Sequence, residues 1–340
     1  MNNELLIELI NAFGVSGKES EVREIITREI KGHVDKMFID KMGNLIAYKK
    51  GKEPRAMIAA HMDEVGLMVK NIENDGKVRI TTIGGIEPLV LLNEKVGIVT
   101  RKGIVKGIIT TENISSSLSI EKNVHVSDMF LDTGLTKKEM IDQGVHVGSS
   151  ISFSPNGEVI GNGKIISGKA LDDRIGCFIL IELIKRLKKP KNKTFFVFTV
   201  QEEVGLYGAK TSSYSITPEW AVAVDVTDCD DCLKNPSKVI GAGPTLTIKD
   251  EEMISNPCID DKILDIANKK KINIQPDVSD SGTTDAINIS ISRGGVPSAV
   301  LGVPVRNLHT TAGLAHLDDI EDAIKILYEL LKDPPTIFAY

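Results

Sequence analysis

The chain has 340 residues, of which 41% are hydrophobic and 26% are charged, and 41 Lys plus Arg against 47 Asp plus Glu gives a net charge of −6. This composition is typical of a globular protein and excludes intrinsic disorder as the main state. The mildly acidic balance, without a dense Lys/Arg block, disfavours a nucleic-acid partner. At about 150 residues per domain, the length predicts roughly two domains.

Signals for secretion, membrane insertion and disulfide bonding are weak. Residues 1–6 lack the basic region and cleavage site of a signal peptide, and the apolar stretches are shorter than the ~20 residues that cross a bilayer. Cysteine is sparse, which fits a reducing compartment, and Cys229 and Cys232 form a CxxC spacing with acidic flanks and no second pair. We interpret these cysteines as ordinary thiols and expect a cytoplasmic protein without a membrane partner.

The first part of the chain has the pattern of an α/β domain. Apolar residues at helical spacing predict helices near residues 5–10 and 22–34, and short apolar runs predict strands at residues 37–39, 45–48 and 56–60. The last run shows no alternation, which is typical of a strand covered on both faces.

Residues 67–162 have a different pattern, with many short β-like runs and closely spaced turn signals. Asn74-Asp75-Gly76 and Arg101-Lys102-Gly103 each separate two such runs and predict two hairpins. We therefore expect a discontinuous α/β domain (1–66 and 163–340) interrupted by a small β-rich domain (67–162).

After residue 163, helices and strands alternate again. We expect helices near residues 175–187, 206–213, 259–270, 284–291 and 318–331, and strands near 194–200, 220–226, 272–276 and 298–303. Such alternation implies a mainly parallel sheet with helices on both faces. The predicted fold class is α/β, a three-layer sandwich with the inserted β-rich domain.

Chemically versatile side chains stand where four of the predicted strands end. They are His61 and Asp63, then Glu202 and Glu203, then Asp225, and finally His309, while Asp172 precedes the helix near residues 175–187. Singly, each has an ordinary structural explanation, because acidic pairs are usually solvated and an aspartate often caps a helix. Together they indicate a site, because ligands of open α/β sheets bind at the carboxyl ends of the strands.

This set of side chains suits a pair of divalent ions. His61, Asp172, Glu203, Asp225 and His309 supply imidazole nitrogens and carboxylate oxygens, and one bridging carboxylate would complete about six ligand positions. Two ions about 3.5–4 Å apart can hold a hydroxide and polarise a carbonyl. Glu202 is then the candidate general base, and Asp63 is a candidate for orienting the His61 imidazole.

Five motifs in order make the chain recognisable. They are residues 60–66 (AHMDEVG), 169–176 (KALDDRIG), 200–205 (VQEEVG), 224–226 (VDV) and 306–309 (RNLH), and residues 281–286 (SGTTDA) match a further segment. Over essentially its whole length the chain resembles the cytosolic dinuclear metallo-aminopeptidases. That family includes glutamyl, deblocking and tetrahedral (TET) aminopeptidases, and some members carry an endoglucanase label.

The resemblance implies a phosphorylase/hydrolase-like α/β sandwich and hydrolysis of the N-terminal residue of peptides by a metal-held hydroxide. His61 and Asp225 would bind one ion, Glu203 and His309 the other, and Asp172 would bridge them, with zinc or cobalt as the metal. Glu202 would serve as base and then as acid. The β-rich insertion would mediate dimerisation, and dimers would assemble into a tetrahedral dodecamer.

The sequence departs from the family pattern beside the last ligand. Asn307 stands where the family usually has Tyr, and residues 310–313 replace a Ser/Thr-Pro-x-Glu run, which affects substrate preference more than activity. Three alternatives stay open: a deacylase of N-acyl amino acids, a metal-free glycosidase with two carboxylates, and a non-enzymatic binding scaffold. A scaffold would be marked by a broken ligand set, and none of the five ligands is missing.

Overall fold

The computed structural model describes residues 2–111 and 124–337. The helices in these ranges are α1 (Asn3–Asn11), α2 (Ser20–Ile30), α3 (Lys137–Asp142), α4 (Leu171–Arg186), α5 (Tyr207–Ile216), α6 (Pro257–Lys270), α7 (Asp285–Ser290) and α8 (Leu317–Lys332). Among the described residues, no helix has the length and apolar character needed to span a membrane.

The strands belong to two separate sheets. The first strands are β1 (Lys36–Ile39), β2 (Leu45–Lys49), β3 (Lys52–His61), β4 (Gly66–Ile72), β5 (Val78–Ile83), β6 (Lys95–Thr100), β7 (Gly103–Thr111), β8 (Met129–Asp132) and β9 (Ser150–Phe153). They are followed by β10 (Glu158–Ile160), β11 (Ile165–Gly168), β12 (Asn192–Thr199), β13 (Trp220–Asp228), β14 (Thr245–Lys249), β15 (Gln275–Val278), β16 (Ser298–Arg306) and β17 (Gly313–His316).

The larger sheet has the strand order β1-β2-β12-β3-β13-β16-β17-β11-β10, with β14 and β15 attached beside β16. Its central strands β12, β3, β13 and β16 run parallel to one another, and antiparallel strands extend the sheet at both edges. Thr199 pairs with His61, and Asp225 pairs with Gly302. The carboxyl ends of the four central strands therefore meet at one edge.

Apolar side chains cover both faces of this sheet. Ala56, Ile58 and Ala60 of β3 belong to a core shared with α1, α2, α4, α6 and α8, whereas Met57 and Ala59 pack in a second core with α5 and α7. Successive strand residues point to opposite faces, so an unbroken apolar run fills both cores. The predicted α/β fold with three layers is confirmed.

The second sheet is a closed antiparallel barrel of strands β4-β5-β8-β7-β6-β9. Both predicted hairpins are present, as β4 with β5 and β6 with β7. In the first turn, Gly76 has φ +92°, and a Cβ at that position would lie 2.5 Å from the carbonyl oxygen of Leu135. Glycine is therefore required there for both conformation and space. The expectation of a small β-rich unit is confirmed.

The sequence pattern missed short strands at the periphery of the large sheet. β10, β11, β14 and β17 have no counterpart among the predicted strands, and the strand expected at residues 272–276 lies at Gln275–Val278. These segments are three to five residues long and carry mixed polar and apolar residues, as in Glu158–Ile160 and Gly313–His316. A segment this short contains too few alternations of polar and apolar residues to predict a strand.

Candidate metal centre

The predicted site residues converge at the carboxyl edge of the parallel strands. His61 is the last residue of β3, Asp225 lies near the end of β13, and Glu202 and Glu203 follow β12. His309 follows β16, and Asp172 lies in the first turn of α4. Pairing of the four central strands aligns their ends, which explains why residues so distant in sequence become neighbours.

Asp172 lies between two imidazoles and contacts both. Its Oδ1 is 2.8 Å from Nε2 of His61, and its Oδ2 is 3.0 Å from Nε2 of His309. Asp225 Oδ1 lies 3.8 Å from Nε2 of His61, and Glu203 Oε2 lies 3.6 Å from Nε2 of His309. The five side chains thus form two neighbouring donor groups that share the Asp172 carboxylate.

Asp173, the neighbour of Asp172, also lies within ligand distance of His61 and Asp225. Its two oxygens are already used, because Oδ2 accepts a hydrogen bond from the backbone N–H of His61 (3.2 Å) and Oδ1 accepts one from Gly176 (2.9 Å). Asp173 therefore fixes the backbone beneath the site, and Asp172 offers its oxygens to the site itself.

The electrostatics of the site favour a bound cation. Burial, together with the charge of Asp172, raises the pKa of Glu203 to about 8, and the same two causes raise the pKa of Asp225 to about 8. Glu203 Oε1 is buried and has no hydrogen-bond partner among the described residues. A divalent ion would relieve the repulsion between these carboxylates and satisfy that oxygen, so the donor set fits two metal ions.

Glu202 lies beside the donor groups, with Oε2 3.9 Å from Nε2 of His61. Burial raises its pKa well above the usual value for a glutamate, and the nearby charge of Asp225 adds to the shift. A carboxylate with a raised pKa next to a reaction centre is suited to accept and return a proton near neutral pH.

The carboxylate of Asp63 holds the Glu202-Glu203 segment in place. Its oxygens accept hydrogen bonds from the backbone N–H of Glu202 (3.0 Å), from that of Glu203 (3.2 Å) and from the hydroxyl of Ser16 (2.6 Å). The imidazole of His61 has Nδ1 3.1 Å from the backbone carbonyl oxygen of Asp63 and 3.7 Å from its carboxylate. Asp63 thus contacts the site through the segment after β12 as well as through His61.

Asp285 is a buried carboxylate at the site for which the sequence suggested no role. Its Oδ2 accepts a hydrogen bond from the hydroxyl of Thr199 (2.5 Å), and its Oδ1 is buried without a partner among the described residues. Burial raises its pKa to about 6. The available signal was its position in the segment SGTTDA (281–286), which resembles the family without indicating what the aspartate contacts.

A buried ionic cluster supports the segment that directly follows β3 and contains Asp63. Lys169 Nζ lies 2.7 Å from Glu64, and Arg174 Nε donates to the carbonyl oxygen of Met62 (2.9 Å). The side chains of Lys169, Arg174 and Glu64 are at most 2% exposed. These three residues stand in two of the quoted motifs, but only the tertiary structure pairs them.

Replacing Glu64 by Ala is expected to destabilise the fold by about 3–5 kcal/mol, because Lys169 and Arg174 would be left buried without their carboxylate. Urea unfolding followed by the fluorescence of the single tryptophan, Trp220, measures this. The matched control is Glu8→Ala, which breaks an ion pair with Arg28 whose side chains are 45% and 53% exposed. That change should cost no more than about 1 kcal/mol; equal effects of the two variants would contradict the prediction.

The donor groups face a cavity of about 1300 Å³. Gly85 and Glu87, from the segment after the barrel strand β5, contribute to its wall. A Cβ at Gly85 would lie 3.6 Å from Nδ1 of His309, so this segment packs directly on the site. Asn307 has φ +60°, a conformation that asparagine tolerates better than most residues.

The cysteines take no part in the donor groups. None of the four forms a disulfide bond; Cys229 is buried and Cys232 is exposed. Burial raises the pKa of the Cys229 thiol, which opposes the thiolate form needed for metal binding or redox chemistry.

Comparison with known proteins shows the family to which this chain belongs. The family model of M42 glutamyl aminopeptidases matches residues 43–326. A lysyl aminopeptidase of Pyrococcus furiosus is 33% identical, with 97% of this chain and 96% of that protein covered. A glutamyl aminopeptidase of Lactococcus lactis is 31% identical over 93% and 92% of the two chains.

Solved structures agree with these sequence matches. The crystal structure of a TET aminopeptidase from a marine sediment archaeon of the Thaumarchaeota superposes with a TM-score of 0.93 and 37% identity, covering 97% of this chain and 96% of that one. The TET1 structure described as a dodecamer, PhTET1-12s, has a TM-score of 0.89 and 34% identity over 98% and 99% of the chains.

Proposed function

Since the chain belongs to the M42 glutamyl aminopeptidase family, we propose that it removes the N-terminal residue from peptides with two divalent ions bound at the edge of the large sheet. The observation that carries this proposal is the position of Asp172, whose two oxygens each contact a different imidazole. His61 and Asp225 would hold one ion, Glu203 and His309 would hold the other, and Asp172 would offer one oxygen to each. Imidazole with carboxylate suits zinc or cobalt.

The metal ions and the protein side chains have different roles in the proposed reaction. When bound, the ions supply an ionised water and polarise the scissile carbonyl. Glu202 accepts a proton at its carboxylate during attack and returns it to the leaving amine, a role its burial and raised pKa support. Asp63 fixes the backbone of Glu202 and Glu203, so that both carboxylates keep their positions.

The proposed function also implies a division into domains, an oligomeric assembly and a cellular location. We propose a catalytic domain of residues 1–66 and 163–340 and a dimerisation domain of residues 67–162, with dimers assembled into a dodecamer. Ile104 and Val147 support the dimer contact, because they expose 61% and 63% of their surface in the segment that carries the barrel. A cytoplasmic location is supported by the small number of cysteines and by the absence of disulfide bonds among them.

Metal removal tests the proposed function. Dialysis against a chelator should abolish hydrolysis of aminoacyl p-nitroanilides, and added Zn²⁺ or Co²⁺ should restore it. N-acetylated versions of the same substrates should stay uncleaved, because an aminopeptidase requires a free amino terminus. Preferential release of the acyl group would instead indicate the deacylase, and activity that survives the chelator would contradict a metal-dependent mechanism.

A further inference from the structure

Beyond the metal ligands, the cavity is lined by an excess of acidic side chains. Apart from the metal ligands and Glu202, six carboxylates and a single Lys or Arg stand among its described lining residues. They are Glu87, Asp228, Asp230, Asp250, Glu252 and Asp277, against Lys238. Lys238 is already paired, since its Nζ lies 2.8 Å from Asp277 and both side chains are at most 13% exposed. The lining is therefore strongly negative where a substrate would enter.

Asp250 carries an oxygen that no other described group uses. The residue is 5% exposed, and its Oδ1 accepts hydrogen bonds from the backbone N–H groups of Glu252 (2.9 Å) and Met253 (2.6 Å). Its Oδ2 is buried without a partner among the described residues. An unsatisfied buried carboxylate oxygen is costly, and a cation that entered the cavity would satisfy it.

A strip of neighbouring side chains leads from the metal centre towards the acidic lining. Val300, Thr247 and Asp277 are in register on β16, β14 and β15, and Val300 pairs with Ala223, two residues before Asp225. At about 4.8 Å per strand, β14, which Asp250 directly follows, lies about 10 Å from β13. Methyl groups of Val300 and Thr247 suit the methylene stem of a long side chain, with charge at the far end.

From this geometry we propose that the cavity receives the side chain of the N-terminal residue and selects a long, positively charged one, lysine or arginine. Asp250, with Asp228, Glu252 and Asp277, receives the charge. The inference rests on the proposed function, because it requires the N-terminal residue to sit at the metal centre. Family membership does not decide this preference, since the relatives described above include both a lysyl and a glutamyl aminopeptidase.

The experiment compares p-nitroanilides of lysine, arginine, norleucine and glutamate with the metal-loaded, full-length protein at neutral pH. Norleucine keeps the methylene stem but lacks the ammonium group. The expected kcat/KM for lysine exceeds that for norleucine about 10–100-fold and that for glutamate by more. Equal values for lysine and norleucine, or a preference for glutamate, would overturn the inference while supporting the proposed function. Hydrolysis of none of the four would contradict the proposed function itself.

Three variants test which residues determine the preference for lysine over norleucine. Asp250→Asn keeps an Oδ1 acceptor for its own turn but removes the charge, and should lower the lysine-to-norleucine ratio about 10-fold. Glu252→Gln, at an exposed residue, should lower the ratio about 2–3-fold without risk to the fold. Asp322→Asn on α8 removes the same charge outside the cavity and should leave the ratio unchanged. An unaltered ratio in both cavity variants would refute the assignment.

Discussion

Replacing Glu202 by Gln is expected to lower kcat about 10²–10⁴-fold while both metal ions stay bound. Glutamine has nearly the same shape as glutamate but cannot take up and return a proton. Glu202 is not one of the five proposed ligands, all of which this variant leaves unchanged. Its loss should therefore affect proton transfer rather than metal binding. Steady-state kinetics combined with elemental analysis separates the two effects.

Glu203→Gln is the matched control for this variant, because it makes the same chemical change one residue away. Glu203 Oε2 lies 3.6 Å from His309, and its Oε1 is buried without a partner among the described residues. The control should therefore lose metal as well as activity. Full turnover by Glu202→Gln, or metal loss from it, would assign the general base to another group.

Replacing Asp172 by Asn is expected to reduce the metal content below two ions per chain and to lower kcat/KM about 10³-fold or more. Asparagine offers one oxygen and an NH₂ group, so it cannot present an acceptor to both donor groups. Each ion contributes several kcal/mol of transition-state stabilisation, and about 1.4 kcal/mol corresponds to tenfold in rate. Elemental analysis after gel filtration gives the ion count, and kinetics at saturating metal gives the activity.

Asp173→Asn provides the comparison for Asp172→Asn. Asp173 lies equally close to the site but binds the backbone N–H groups of His61 and Gly176. Burial raises its pKa well above the usual value for an aspartate, so a neutral residue suits that position. Retention of two ions is expected. If Asp173→Asn lost the metal and Asp172→Asn kept it, the two adjacent aspartates would have to exchange roles.

Elements with a strong local signal were predictable from sequence. The unbroken apolar run that ends at His61 predicted a doubly covered strand, and Asn74-Asp75-Gly76 predicted a hairpin of the barrel. The short peripheral strands were not predictable, because β14 and β17 depend on pairing with β16 and other strands and carry little pattern of their own. The position of most candidate ligands at or near the end of a strand was visible in the sequence. Parallel strands place their carboxyl ends at one edge of the sheet, so these side chains were expected to be neighbours.

The sequence by itself determined the family, the α/β layering and the set of candidate ligands, because each of these depends on residue type and spacing along the chain. Only the tertiary structure decided the contacts between residues distant in sequence. It placed Asp172 between the imidazoles of His61 and His309, it placed Asp173 against backbone N–H groups, and it placed Lys169 against Glu64. It also showed the unpaired oxygen of Asp250 in the cavity lining. Hydrogen-bond geometry and burial depend on how the strands and loops pack, and a linear pattern does not contain that information.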